Sequence, residues 1–190
     1  MPTVFIRLLL LLALLPASVP ALARVEVQAV QHKREGRILA ARVTEDIAPG
    51  DYEKLLQGVL ANPGRFGQKI VLLDSIGGSV PEAIRMGRLL REMGFDARVP
   101  ANAVCQGTCV YLLAAGHQRS VLGYVGIHRP YFPRGDSAAA DTADNRHSYS
   151  TEAYFREMNI APALAAVMRE TPPGQMRVLT AGELTRYRLD

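Results

Sequence analysis

Hydrophobic and polar positions along this chain follow two alternating rhythms. Val25 to Gln31 alternates apolar and polar residues, the period of a half-buried strand. His32-Lys33-Arg34-Glu35-Gly36 is a polar turn, and Ile38 to Val43 reads as a second strand, so the pair predicts a hairpin. Pro49-Gly50-Asp51 then opens a helix through Leu60, with Leu55, Leu56, Val59 and Leu60 on one face and Asn62-Pro63-Gly64 as its stop. Lys69 to Leu73 is a run of buried-strand character, as expected where both sheet faces are covered.

The next helix has a legible start. Ser79-Val80-Pro81-Glu82 fits a capping box, with serine at the N-cap and glutamate three residues on. Proline in the first turn costs no hydrogen bond. Ala83, Ile84, Gly87, Leu89 and Leu90 form the buried face, and Gly94 is the C-terminal stop. The pattern continues with a strand over Phe95 to Val99, a short apolar helix over Gly107 to Ala115 and a strand over Ser120 to Ile127. Pro133 to His147 is polar and irregular and reads as an exposed loop. Thr151 to Asn159 is helical, Pro162 restarts a helix through Arg169, Pro172-Pro173-Gly174 ends it, and Leu179 to Leu184 opens a final short helix. Strands alternating with helices from residue 38 to 127 predict an α/β fold with βαβ crossovers and a mostly parallel sheet.

The N-terminal segment follows neither rhythm. Arg7 precedes the apolar run Leu8 to Leu15, Pro16 to Pro20 breaks it, and Ala21-Leu22-Ala23 is a small-x-small cleavage site. Residues 1–23 therefore read as a secretory signal peptide, and 24–190 as one domain. The apolar run is too short for a bilayer span, and no later stretch approaches spanning length. In a bacterium this places the mature chain in the periplasm. Arg7 is the single charged residue of the leader, so the formal charge of +4 falls to +3 on its removal. That small excess is scattered and not interleaved with aromatics, which argues against a nucleic-acid partner.

The chain has two cysteines, Cys105 and Cys109. An export signal places them in an oxidising compartment. Their spacing is not that of a zinc knuckle and no second ligand pair exists, so no metal is implied. They either form a disulfide or pack as two buried thiols. A bridge is awkward inside a regular helix and easier if Cys105 ends a strand and Cys109 sits in the first helical turn.

Three strand ends carry candidate chemistry. Asp74-Ser75-Ile76-Gly77-Gly78 lies between a strand and a capped helix, where glycines let backbone amides turn outward toward an oxyanion. By itself it also reads as a tight turn. Cys105-Gln106-Gly107-Thr108 is a second strand-to-helix turn, where an acyl-transfer enzyme would carry its nucleophile. Gly107 has no side chain to attack with, and Thr108 reads as a helix cap. His128 follows an apolar strand and has the chemistry of a general base.

The order Asp-Ser-x-Gly-Gly-Ser-Val over 74–80, Leu-Leu-Ala-Ala-Gly over 112–116, then Ile-His-x-Pro over 127–130 resembles the proteolytic subunit of the Clp protease. More closely it is similar to exported relatives in the Clp/crotonase superfamily. The resemblance runs over roughly residues 38–188 and is strongest over 71–132. It implies a Clp/crotonase-like fold built from repeated ββα/βαβ units, oxyanion amides at Gly77, Gly78 and Thr108, a histidine base at His128 and a nucleophile position at Gly107. The acidic triad member falls on Glu170, within Arg169-Glu170-Thr171.

With no serine at 107, the expectation is a catalytically degenerate protein that binds a peptide or another carbonyl ligand in the residual groove. Adding a strand to an exposed sheet edge is the natural mode for a peptide. The competing expectation is a hydrolase using a displaced hydroxyl from Ser75, Ser79 or Thr108 with His128 as base. Crotonase-type chemistry also relies on two backbone amides, but its thioester substrates are not expected outside the cytoplasm. No cofactor is called for. The segment between His128 and Glu170 lacks the long handle used in ring assembly, so a monomer or small oligomer is expected.

Overall fold

Alternation sets the strands and pairing lengthens them. A computed structural model describes residues 25–130 and 150–190. The expected leader and the polar stretch Pro133 to His147 lie outside the described residues. The hairpin is present as β1 (Val25–His32) and β2 (Gly36–Ile47), paired antiparallel from Val25↔Val43 to His32↔Gly36. α1 (Asp51–Leu60) packs on β1, and β3 (Gln68–Gly78) pairs parallel with β2. β3 is longer than the apolar run predicts. A register shift between Glu45 and Asp46 keeps β2 in step with it through Ile47↔Gly78, so the Gly-Gly pair ends the strand rather than forming a separate turn.

α2 (Val80–Glu92) starts where expected, but only half of the capping box forms. Ser79 Oγ accepts from the Glu82 amide, while the Glu82 carboxylate turns away to accept from the Gly50 and Tyr52 amides at 2.9 and 2.7 Å. The buried carboxylate thereby joins the start of α2 to the start of α1. Gly94 ends α2 with φ +77, and the bonds Phe95 N–H to Leu90 O and Gly94 N–H to Arg91 O make a Schellman motif.

Beyond α2 the sheet forks. β4 (Asp96–Val99) pairs with β3 at Ile70–Leu72, and β5 (Val104–Gln106) pairs with the same strand further on, at Ser75. The Asp74 carboxylate accepts the Val104 amide at 3.0 Å where the branches separate. α3 (Cys109–Ala115) follows β5. The single strand expected over Ser120 to Ile127 is two: β6 (Arg119–Val121) joins β4, and β7 (Tyr124–Ile127) joins β5. The break is at Leu122–Gly123, where Gly123 lies against the carbonyls of Pro100 and Ala103 with no room for a side chain.

α4 (Thr151–Glu157) and α5 (Ala163–Glu170) match the two expected helices. A two-residue strand that periodicity does not announce, β8 (Arg177–Val178), pairs antiparallel with β7. α6 (Ala181–Tyr187) opens on a complete capping box between Thr180 and Glu183. The Thr180 amide is the main cause holding the Glu183 carboxyl below the usual carboxylate range.

The result is a mixed α/β fold: eight strands and six helices among the described residues, with strand order β1-β2-β3-β5-β7-β8 and β4 and β6 on a branch. The pairings β2/β3, β3/β4, β3/β5, β4/β6 and β5/β7 are parallel, and only the outer pairs β1/β2 and β7/β8 are antiparallel. α3 is buried all round, as its unbroken apolar sequence requires. Tyr111 on it stacks with Tyr154 and Phe155 of α4, ring centroids 5.3 and 5.2 Å away. The Tyr154 hydroxyl donates to Tyr111 O at 2.8 Å, and burial pushes its pKa well up. Gly87 on α2 makes room for that hydroxyl; a Cβ there would overlap it.

Candidate functional site

Register brings the three strand ends together. Ser75 pairs with Cys105, and Cys105 with Val125, so three parallel strands run level. Two to three residues further on each strand lie Gly77 and Gly78, Gly107 and Thr108, and Ile127 and His128. The Gly107 amide donates to Gly126 O at 3.0 Å, which fixes the turn against β7. This is the carboxyl end of the parallel strands, where open α/β sheets hold ligands. A cavity of about 190 Å³ lies there, lined by Ile76, Gly78, Gly107, Thr108, His128 and Pro130. None of these described lining residues carries a carboxylate.

Gly107 sits between β5 and α3 with φ +54, in the left-handed region. A sharp strand-to-helix turn of this kind is how a nucleophile elbow raises its side chain into a site. A Cβ built on Gly107 would lie 2.9 Å from His128 Nε2, and the ring's Cε1 and Cδ2 would be its next neighbours. The imidazole therefore covers the position a nucleophile's side chain would leave.

His128 is half-buried. Its Nδ1 is 2.8 Å from Arg129 O. A carbonyl only accepts, so Nδ1 carries the proton and Nε2 of the neutral ring carries the lone pair. Among the described residues the Nδ1 contact is the one hydrogen bond of the ring. The Arg129 amide in turn donates to Thr171 O at 2.8 Å, tying the segment after His128 to the end of α5. Glu170 is adjacent in sequence but exposed, and a neutral carbonyl stands where a triad carboxylate would bond Nδ1.

The expected amide donors separate. The Gly77 amide donates to Ser75 Oγ at 3.2 Å and is used within the loop. Gly77 has φ +95, and a Cβ on it would press on Gln106 O and Thr108 N. Gly78 and Thr108 both line the cavity. The Thr108 amide donates to no backbone carbonyl among the described residues. Thr108 is not the side-chain cap that its place before α3 suggests: its φ and ψ are helical, and Oγ1 is buried without a partner. A capping hydroxyl needs an extended N-cap backbone to reach back to the helix amides.

The hydroxyls offered as displaced nucleophiles separate as well. Ser75 is buried and donates to Glu45 O at 2.6 Å, and Ser79 caps α2. Thr108 alone of the three is uncommitted. Among the described residues no group of His, Cys, Asp or Glu side chains is placed to hold a metal ion, and no helix is long and apolar enough to cross a membrane.

Cys105 and Cys109 form a disulfide with Cα atoms 5.2 Å apart, both sulfurs within the core. Cys105 lies in β5 and Cys109 opens α3, so the bridge closes over Gly107 and Thr108. A link across so short a segment removes little chain entropy, about 2 kcal/mol. The Cys105→Ala/Cys109→Ala variant is expected to lose that amount plus a small packing loss. Urea unfolding checks it, and unchanged stability would mean that the fold alone holds the turn. Compared with known proteins, the chain matches no family model and no curated protein sequence.

Proposed function

We propose that this chain is an exported, catalytically degenerate Clp-protease-like protein of the Clp/crotonase superfamily whose cavity binds a carbonyl group without forming a covalent intermediate. Its ligand is an extended peptide or another carbonyl compound, with the carbonyl oxygen at the Gly78 and Thr108 amides. The observation that carries this reading is Gly107: a strand-to-helix turn with left-handed backbone, facing a histidine Nε2, and bearing no side chain. The Arg129 carbonyl on His128 Nδ1 supports the same reading, because a serine triad uses a carboxylate there to stabilise the imidazolium. The apolar leader supports export to the periplasm.

A fluorophosphonate probe tests the first half of the proposal. No labelling is expected, and stoichiometric labelling abolished by His128→Ala would make the protein a covalent hydrolase instead. Titration with acetyl-tetraalanine amide tests the second half. The Gly78 and Thr108 amide resonances are expected to shift together, and their staying fixed at millimolar peptide would remove the carbonyl site.

A further inference from the structure

The geometry points to an activity that needs no nucleophilic side chain: hydrolysis of activated esters by a water molecule that His128 deprotonates. This rests on the reading that a ligand carbonyl is held at Gly78 and Thr108. Three features carry it. First, the Arg129 carbonyl selects the tautomer with the lone pair on Nε2, the form that accepts a proton. Second, among the described residues the one hydrogen bond of the His128 ring is at Nδ1, and His128 borders the same cavity as the two candidate amides. Third, Gly107 puts nothing between them, and a cavity of about 190 Å³ exceeds the share of liquid volume of a water, ~30 Å³, several times over, leaving room for a short acyl chain.

The step balances without a co-reactant. Nε2 takes a proton from water as the water oxygen bonds to the carbonyl carbon. The carbonyl oxygen carries the resulting charge at the backbone amides. Collapse breaks the bond to the leaving oxygen, which departs with the proton from Nε2, and the products are an acid and an alcohol.

The site also limits the substrate class. A neutral carbonyl behind Nδ1 stabilises the imidazolium less than a carboxylate does. Expelling an amine from a peptide needs that support, whereas an ester with a good leaving group does not. Ile76 and Pro130 wall the cavity, so the acyl group is short and apolar.

The experiment is turnover of p-nitrophenyl butyrate by the purified protein. Steady hydrolysis without a burst is expected, falling about 100-fold in His128→Ala and in His128→Gln. His32, His117 and His147 remain in both variants, so nonspecific imidazole catalysis is common to all three proteins. Circular dichroism establishes that each variant is folded. Equal rates in wild type and the folded His128 variants, or a burst with an acyl adduct, would each overturn the inference. If ester turnover fails while acetyl-tetraalanine amide still shifts Gly78 and Thr108, the hydrolytic inference alone falls. If both fail, the carbonyl site falls with it.

Discussion

Gly78→Ala is expected to lower stability by about 3–5 kcal/mol and to abolish peptide-induced shifts at the cavity. Two costs combine. Gly78 has φ +144, in a region essentially reserved for glycine, where another residue costs roughly 1–3 kcal/mol. A Cβ there would also overlap Ile47 O, and it would approach Ile47 N to 2.8 Å. These are backbone atoms of a paired strand and cannot rotate away, and such overpacking adds about 1–3 kcal/mol. Two controls separate the costs. Gly36 has φ +72 but open space around its Cβ position, so Gly36→Ala carries strain alone, about 1 kcal/mol. Gly126 has an ordinary φ, and its Cβ would meet the Met176 thioether and the Gln106 side chain. Those can move, so Gly126→Ala carries limited crowding alone. Urea unfolding ranks the three variants. Gly78→Ala no worse than Gly36→Ala would show that β2 and β3 separate easily at their carboxyl ends, and the site would then lack a rigid wall.

Glu82→Ala is expected to cost about 3 kcal/mol. Glu82 is 5 % exposed and its carboxylate receives the Gly50 and Tyr52 amides, with Arg85 3.3 Å from its other oxygen. Hydrogen bonds to a charged group contribute ~1.5–3 kcal/mol each in favourable cases, and truncation leaves partly buried donors unpaired. α1 has no side-chain cap from its own sequence, since Gly50 holds the N-cap position. Glu82 serves that end from 30 residues away. Glu82→Gln keeps an acceptor and is expected to recover part of the loss. An equal loss in both variants would assign the effect to charge alone. A loss under about 1 kcal/mol in Glu82→Ala would mean that water satisfies the α1 amides equally well.

These two residues also mark how far local reading reaches. Ser79-Val80-Pro81-Glu82 announces a helix start, and a helix starts there. The same pattern assigns Glu82 to Ser79, because a capping box is a relation between neighbours in sequence. Its carboxylate bonds α1 instead, since the fold brings two orphan amides of another helix within reach. Ser120 to Ile127 has one apolar rhythm but is split between two branches of the sheet, a division set by the fork at β3 and by the tight place where Gly123 passes Pro100 and Ala103.

The candidate site divides in the same way. Glycines at 77, 78 and 107, a cysteine pair and a histidine after an apolar strand are all visible as residue types at strand ends. The disulfide forms with Cys105 in a strand and Cys109 opening a helix, the arrangement in which a bridge at this spacing is easier. Which amides face the cavity depends on contacts across strands. Ser75 occupies the Gly77 amide, Thr108 takes a helical conformation that disengages its hydroxyl, and Arg129 O takes His128 Nδ1 while Glu170 is exposed.

Periodicity, caps and stops are properties of short segments, so the sequence alone determined the run of strands and helices from β1 to β5, where α2 begins and ends, and that position 107 has no side chain to react. Strand order and register are long-range pairings with no local signature. Only the tertiary structure therefore decided that Gly78, Thr108 and His128 share one cavity, that the Gly77 amide is already used, and that His128 turns Nε2 toward the space beside Gly107.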